Sequence, residues 1–114
     1  MQKYFFDTYA LVSLIKNNPN YVKYSDEIFI TAQLNLIELY YITLKDFNEE
    51  KAILIYNKFK ECTIQIKDDI IFEAMKLKLK NKQLSYVDCI GYIYALKNNL
   101  KFLTGDKEFE DSKN

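Results

Sequence analysis

Four short apolar runs alternating with stretches of helical period constrain this chain more than any other feature. Tyr4-Phe5-Phe6 stops at Asp7, and Ala10, Leu11, Leu14 and Ile15 then recur at helical spacing until the break at Asn17-Asn18-Pro19-Asn20. Glu27 to Thr31 carries the second run (Ile28, Phe29, Ile30), and Gln33 to Asp46 follows at helical length with apolar Leu34, Ile37, Tyr41 and Leu44. A further helix is expected from Asn48 to Glu61, after which Thr63-Ile64-Gln65-Ile66 has strand character. Between Asp68 and Lys82 two periods compete: Met75-Lys76-Leu77-Lys78-Leu79-Lys80 alternates, while Ile70, Ile71, Ala74 and Met75 fit a helix. The spacing predicts the helix. Ser85 to Asn99 reads as the last helix and Lys101 to Thr104 as the fourth strand.

Strands that alternate with helices require right-handed crossovers and a parallel sheet covered on both faces. The expected fold is α/β, a three-layer α/β/α sandwich. One proline and two glycines leave no linker-like stretch in 114 residues, so a single domain over residues 1–114 is expected. At this length roughly two-thirds of the unfolded surface is buried on folding, enough to hold the fold without disulfides or a structural metal. Cys62 and Cys89 have no neighbouring pair or histidine and are expected to be reduced core thiols.

The sequence contains no histidine, tryptophan or arginine. Serine–histidine and cysteine–histidine catalysis, histidine-ligated metals and bidentate arginine clamps on phosphate are therefore excluded. Chemistry falls to carboxylates, lysines, tyrosines and hydroxyls. Positive and negative charges balance at 16 each, so any grip on a polyanion needs a local lysine patch or bound cations. The apolar start is broken by Asp7 and lacks a small-residue cleavage site, and no run reaches the ~18 apolar residues of a membrane span. A cytoplasmic protein is expected.

The acids then become the candidates. In open parallel sheets ligands sit beyond the carboxyl ends of the strands, where strand order reverses. Asp7 directly follows the first strand and Asp106 follows the fourth across Thr104-Gly105, so the two converge if those strands are neighbours. Each also has a plain alternative as a helix N-cap. Ser85-Tyr86-Val87-Asp88 has capping-box spacing, and Gly91, Tyr92 and Ala95 on the Asp88 face let another backbone approach closely. Glu38 lies inside its helix, where no cap can use it. Its stripe, with Leu34, Tyr41 and Ile42, is expected to face the core, which would require a lysine, hydroxyl or metal partner; a solvated glutamate at the stripe edge is the alternative. Four gathered carboxylates repel one another unless a hard divalent cation neutralises them, and oxygen-only ligation points to Mg2+ or Mn2+. Two such ions can activate water and stabilise the leaving oxygen of a phosphodiester without a histidine base.

At these residues the sequence resembles the PIN-domain ribonucleases, and among them the VapC-like toxins of toxin–antitoxin pairs. The resemblance is carried by Phe5-Phe6-Asp7-Thr8-Tyr9-Ala10-Leu11, Asn35-Leu36-Ile37-Glu38-Leu39, Leu84-Ser85-Tyr86-Val87-Asp88-Cys89 and Phe102-Leu103-Thr104-Gly105-Asp106-Lys107-Glu108-Phe109, in that order across nearly the whole chain. It implies Asp7, Glu38, Asp88 and Asp106 as the catalytic and metal-ligating acids, with Thr8 and Thr104 as hydroxyls beside them. It further implies Mg2+- or Mn2+-dependent cleavage of single-stranded RNA, a homodimer and an antitoxin that blocks the site. Without arginine, RNA grip would come from lysines such as Lys76, Lys80, Lys82, Lys101 and Lys107. The chain runs only a few residues past Phe109, so the usual final strand of the family is expected to be reduced or missing.

Three readings compete with the toxin. One is a PIN-domain RNA-processing nuclease outside any toxin–antitoxin system, and another is a non-catalytic PIN-like binding module. The third, a haloacid-dehalogenase-like phosphatase, wants a second aspartate two residues after Asp7, where this chain has Tyr9.

Overall fold

The structure, a computed structural model, describes residues 3–105. Asp106, Lys107 and the expected reduced final strand lie outside the described residues. Ten elements follow in order: β1 (Tyr4–Phe6), α1 (Thr8–Ile15), α2 (Pro19–Val22), β2 (Phe29–Ala32), α3 (Gln33–Asp46), α4 (Glu49–Lys60), β3 (Thr63–Ile64), α5 (Asp68–Lys80), α6 (Tyr86–Lys97) and β4 (Lys101–Leu103). The sequence reading contains all of these except α2, a single turn that begins on Pro19 and is capped by the Asn18 side chain, which accepts from the Asn20 N–H.

The strands form a parallel sheet in the order β3-β2-β1-β4. The chain steps outward from β1 through β2 to β3 and then returns to the other side of β1, so strand order reverses between β1 and β4.

Successive side chains of a strand point to opposite faces, and β1 and β4 use this to build two cores. Phe5 and Phe102 pack with Ile70 and Ala74 of α5 and Cys89, Ile90 and Ile93 of α6. Phe6 and Leu103 pack on the other face with Ala10 and Leu11 of α1, Leu36 and Leu39 of α3 and Phe59 of α4. Both faces of the sheet are covered, which is the three-layer arrangement expected from the alternation. Many of the aromatic residues serve these cores, with Phe6 stacked on Phe29 at 4.1 Å between ring centroids and Phe5 tilted against Phe102 at 5.9 Å.

Gly91 permits the close seating of α6. A Cβ there would lie 2.7 Å from Phe5 Cε1 and 3.2 Å from Phe102 Cε1, so what approaches Gly91 closely is a pair of phenyl rings and not the backbone expected from the stripe. The positive-φ turns after α1 and α6 are made by Asn17 and Asn99, residues whose short polar side chains tolerate the left-handed region. α5 is a helix throughout; Ile70 and Ala74 are buried while Leu79 is exposed, so the period-two run lies on a partly solvated face.

Two expectations need correction. In α3 the apolar stripe faces outward: Leu34 is 41% exposed and Tyr41 65%, whereas Asn35, Leu36, Leu39 and Thr43 are buried. The sheet is reached by the polar-punctuated side, where Thr43 satisfies its hydroxyl by donating to the Leu39 carbonyl at 2.9 Å. Of the two free cysteines, Cys89 is buried in the core but Cys62 is only half-buried. Burial pushes both thiols above their ordinary pKa, which disfavours the thiolate form. Among the described residues no helix is long and apolar enough to cross a membrane.

Candidate active site

Four segments deliver side chains to the carboxyl end of the sheet, at the β1–β4 reversal. Asp7 ends β1 and is 3% exposed; its backbone N–H donates to the Leu103 carbonyl at 3.1 Å, which ties it to the end of β4. Its Oδ1 accepts from the Ala10 N–H at 2.8 Å, so Asp7 is the N-cap of α1. The cap uses Oδ1, so the plain N-cap reading of Asp7 holds, and the residue lines the cleft as well. Behind it, the buried Thr31 hydroxyl donates to the Phe6 carbonyl at 2.7 Å and fixes β2 against the end of β1.

Glu38 comes from the second turn of α3 and is exposed at the rim. It is therefore not the core-facing carboxylate expected from the stripe; the alternative, a solvated glutamate at its edge, is the correct one. Its partner is a hydroxyl: Thr8 Oγ1 donates to Glu38 Oε1 at 2.5 Å, and Thr8 Oγ1 accepts from Asn35 Nδ2 at 3.1 Å. Asp88 stands in the first turn of α6, whose N-cap Ser85 accepts from the Asp88 N–H at 3.0 Å. The N-terminal ends of α1 and α6 favour the negative charge of Asp7 and Asp88 there.

These pieces line one cleft of about 310 Å3, bounded by Asp7, Thr8, Tyr9, Glu38, Ser85, Asp88, Thr104 and Gly105. Gly105 lies flat under Tyr9, where a Cβ would run into the ring. The structure thus brings Asp7, Glu38, Asp88, Thr8 and Thr104 to one place; Asp106, which follows Gly105 in the chain, lies outside the described residues. Sequence reasoning missed Tyr9, Ser85 and Asn35 as parts of the site. Asn35 carried a usable signal, a polar residue one helical turn before Glu38 on what proves to be the buried face.

Every charged side chain lining the cleft among the described residues is a carboxylate, and the other polar atoms there are hydroxyl and backbone oxygens and nitrogens. That donor set suits a hard divalent cation. Asp7, Glu38 and Asp88 share the cleft without crowding: among the described residues no three acidic or cysteine side chains are close enough to form a metal-binding group. Of the lysines named for RNA grip, Lys76, Lys80, Lys82 and Lys101 do not line the cleft, and Lys107 lies outside the described residues. Lys101 pairs with Tyr4 at the opposite end of the strands, and Lys76 is bonded to Glu73 at 3.4 Å. A larger cleft of about 510 Å3 between α1, α2 and α4, lined by Leu14, Ile15, Phe29, Ile55, Lys51 and Lys58 among others, contains no carboxylate.

The PIN-domain family model matches residues 4–113. The chain belongs to the PIN-domain family. Members of this family are nucleases, and the resemblance read from four short segments is thereby upheld over nearly the whole chain. Two solved structures share the PIN fold with it. One is from a toxin–antitoxin complex of Klebsiella pneumoniae, 20% identical, with a TM-score of 0.73 and coverage of 91% of this chain and 87% of the other. The second is the Mycobacterium tuberculosis toxin VapC20, described as cleaving the sarcin–ricin loop; it is 12% identical with a TM-score of 0.77, covering 96% and 94%. A comparison with curated protein sequences gives no match.

Proposed function

We propose that this PIN-domain protein is a metal-dependent endoribonuclease that cleaves single-stranded RNA and acts in the cytoplasm as the toxin of a toxin–antitoxin pair. The observation that carries the reading is the assembly of Asp7, Glu38 and Asp88, from three distant segments, around one cleft at the β1–β4 reversal. The fold shared with a chain of a toxin–antitoxin complex and with a toxin described as cleaving the sarcin–ricin loop supports the same reading. In it Asp7, Glu38, Asp88 and Asp106 hold Mg2+ or Mn2+, and Thr8 and Thr104 are the hydroxyls beside them. Bound divalent ions would supply an activated water and charge neutralisation at the phosphodiester. Asp7, capped against α1 and nearly buried, is the rigid member of the set, and Glu38 at the rim is the member oriented by a hydroxyl. A homodimer and an antitoxin that covers the cleft belong to the same proposal.

Purified protein should cleave single-stranded RNA with Mg2+ or Mn2+ and lose that activity in excess EDTA, and Asp7→Asn should reduce cleavage by orders of magnitude. Cleavage that persists in EDTA would sink the metal-dependent reading. For the toxin role, expression should arrest growth and co-expression of a small DNA-binding protein encoded beside it should relieve the arrest. The wide spacing of the three described acids is what a non-catalytic PIN-like module would share, and absence of both metal binding and cleavage would favour that module.

A further inference from the structure

The geometry points to Asn35 as a positioning residue that sets the orientation of Glu38 through the Thr8 hydroxyl. Asn35 is 1% exposed and stands one turn before Glu38 on α3, so the two side chains are neighbours along the helix, Asn35 on its buried side and Glu38 at the rim. Its Nδ2 donates to Thr8 Oγ1 at 3.1 Å, and Thr8 Oγ1 donates to Glu38 Oε1 at 2.5 Å. A hydroxyl has one proton and two lone pairs. With the Asn35 N–H occupying a lone pair, the single Thr8 proton is directed at Glu38. The chain therefore runs in one direction, from amide to hydroxyl to carboxylate, and joins α3 to α1 across 27 and 30 residues of sequence.

The second observation is the other end of the amide. Asn35 Oδ1 is buried and has no hydrogen-bond partner among the described residues. An orphaned buried carbonyl destabilises the fold, so stability alone does not account for an amide here, and a leucine, with the same branching and number of heavy atoms, lacks that orphan. Reversing the amide would not help. It would place an acceptor against Thr8 and compete for the one proton that Glu38 receives. What the amide supplies is the direction of the hydrogen bond.

The inference rests on Glu38 being a metal ligand as proposed above, and the test separates the two claims. Mn2+ binding to the full chain, without RNA, is measured by calorimetry for the wild type, Asn35→Leu, Asn35→Asp, Thr8→Val, Thr8→Ser and the Asn35→Leu/Thr8→Val double variant. Loss of an outer-shell partner typically lowers metal affinity about 10- to 100-fold, and that loss is expected for Asn35→Leu and for Thr8→Val. The double variant should be no weaker than either single one, because one chain is broken once. Thr8→Ser, which keeps the hydroxyl, should bind as the wild type does. Asn35→Leu should melt at or above the wild-type temperature, whereas a residue serving stability alone would lower it. Asn35→Asp keeps the size and reverses the polarity, so it should also weaken binding and carries the test if the leucine variant does not fold. In the metal-free protein the Asn35 side-chain amide protons should exchange slowly by NMR, and Thr8→Val should remove that protection. Wild-type binding with undiminished binding by folded Asn35→Leu, or losses that simply add, overturns the role of Asn35 alone. A wild type that binds no Mn2+ overturns the metal reading and this inference together.

Discussion

Asp7 carries two duties that substitutions can separate. Its Oδ1 caps α1 at Ala10 while the residue lines the cleft. Asn is as good an N-cap as Asp, so Asp7→Asn should leave thermal stability nearly unchanged while abolishing cleavage; Asp7→Ala should lose the cleavage and also about 1 kcal/mol of stability. Parallel melts and RNA assays distinguish the two, and equal destabilisation by both variants would mean that the cap is not the structural contribution. A second carboxylate is purely structural. Lys16 Nζ donates to Asp46 Oδ2 at 2.8 Å, tying the end of α1 to the end of α3, and this bond holds the Asp46 carboxyl below its ordinary pKa. A lowered folded-state value stabilises the fold above the unfolded value of about 3.9 and loses that contribution as pH falls through the folded value. The pair is exposed, so the effect is small. Wild type should melt slightly above Asp46→Asn at neutral pH, and the gap should close in acid as the pH falls through the folded value; a gap that persists once the carboxyl is protonated would assign it to something other than the charge.

At the scale of elements, α3 is where periodicity and packing part company. Leu34, Ile37, Tyr41 and Leu44 form the more conspicuous apolar stripe, yet α3 turns Leu36 and Leu39 to the sheet along with Asn35 and Thr43. The expected consequence is direct: Tyr41→Ser should stay within ~0.5 kcal/mol of wild type in the isolated protein, whereas Leu39→Ala should cost about 2–5 kcal/mol. Denaturant titrations of the two variants check this, and the reverse order would restore the stripe to the core. The packing also explains Glu38. Once the stripe is turned outward, Glu38 rises to the rim of the cleft, where the Thr8 hydroxyl can reach it and solvent can share its charge.

For the molecule as a whole, the cleft draws on segments that the chain separates widely, so a bound cation would tie α1, α3 and α6 together. A ligand that binds only the native state at a hundredfold excess over its dissociation constant adds about 2.7 kcal/mol. For a domain of this size that amounts to a rise of roughly 10 °C in Tm. Mg2+ should produce such a rise in the wild type, EDTA should reverse it, and Asp88→Asn should remove most of it. No rise at any attainable Mg2+ concentration would mean that the gathered acids do not act as one site.

How much of this was legible in the sequence depends on the range of the interactions involved. Helix and strand identities follow from local periodicity and from caps such as Asn48, Ser85 and Asp7, whose side chains bond N–H groups three residues on. The alternation of elements determined a parallel α/β sandwich, because each strand needs a crossover and each crossover helix needs a sheet face. The missing histidine and arginine left chemistry to carboxylates, lysines, tyrosines and hydroxyls. Tertiary structure alone decided three things. It placed β4 beside β1, so that Thr104 lines the same cleft as Asp7. It turned the Asn35 side of α3 inward, a choice that periodicity cannot make because Leu36 and Leu39 on one side and Leu34, Ile37 and Tyr41 on the other both have helical spacing. And it joined Asn35, Thr8 and Glu38 into one hydrogen-bond chain. Hydrogen bonds between residues about thirty apart depend on where two helices are docked, and docking is set by the summed burial of a whole core, which no local stretch of sequence contains.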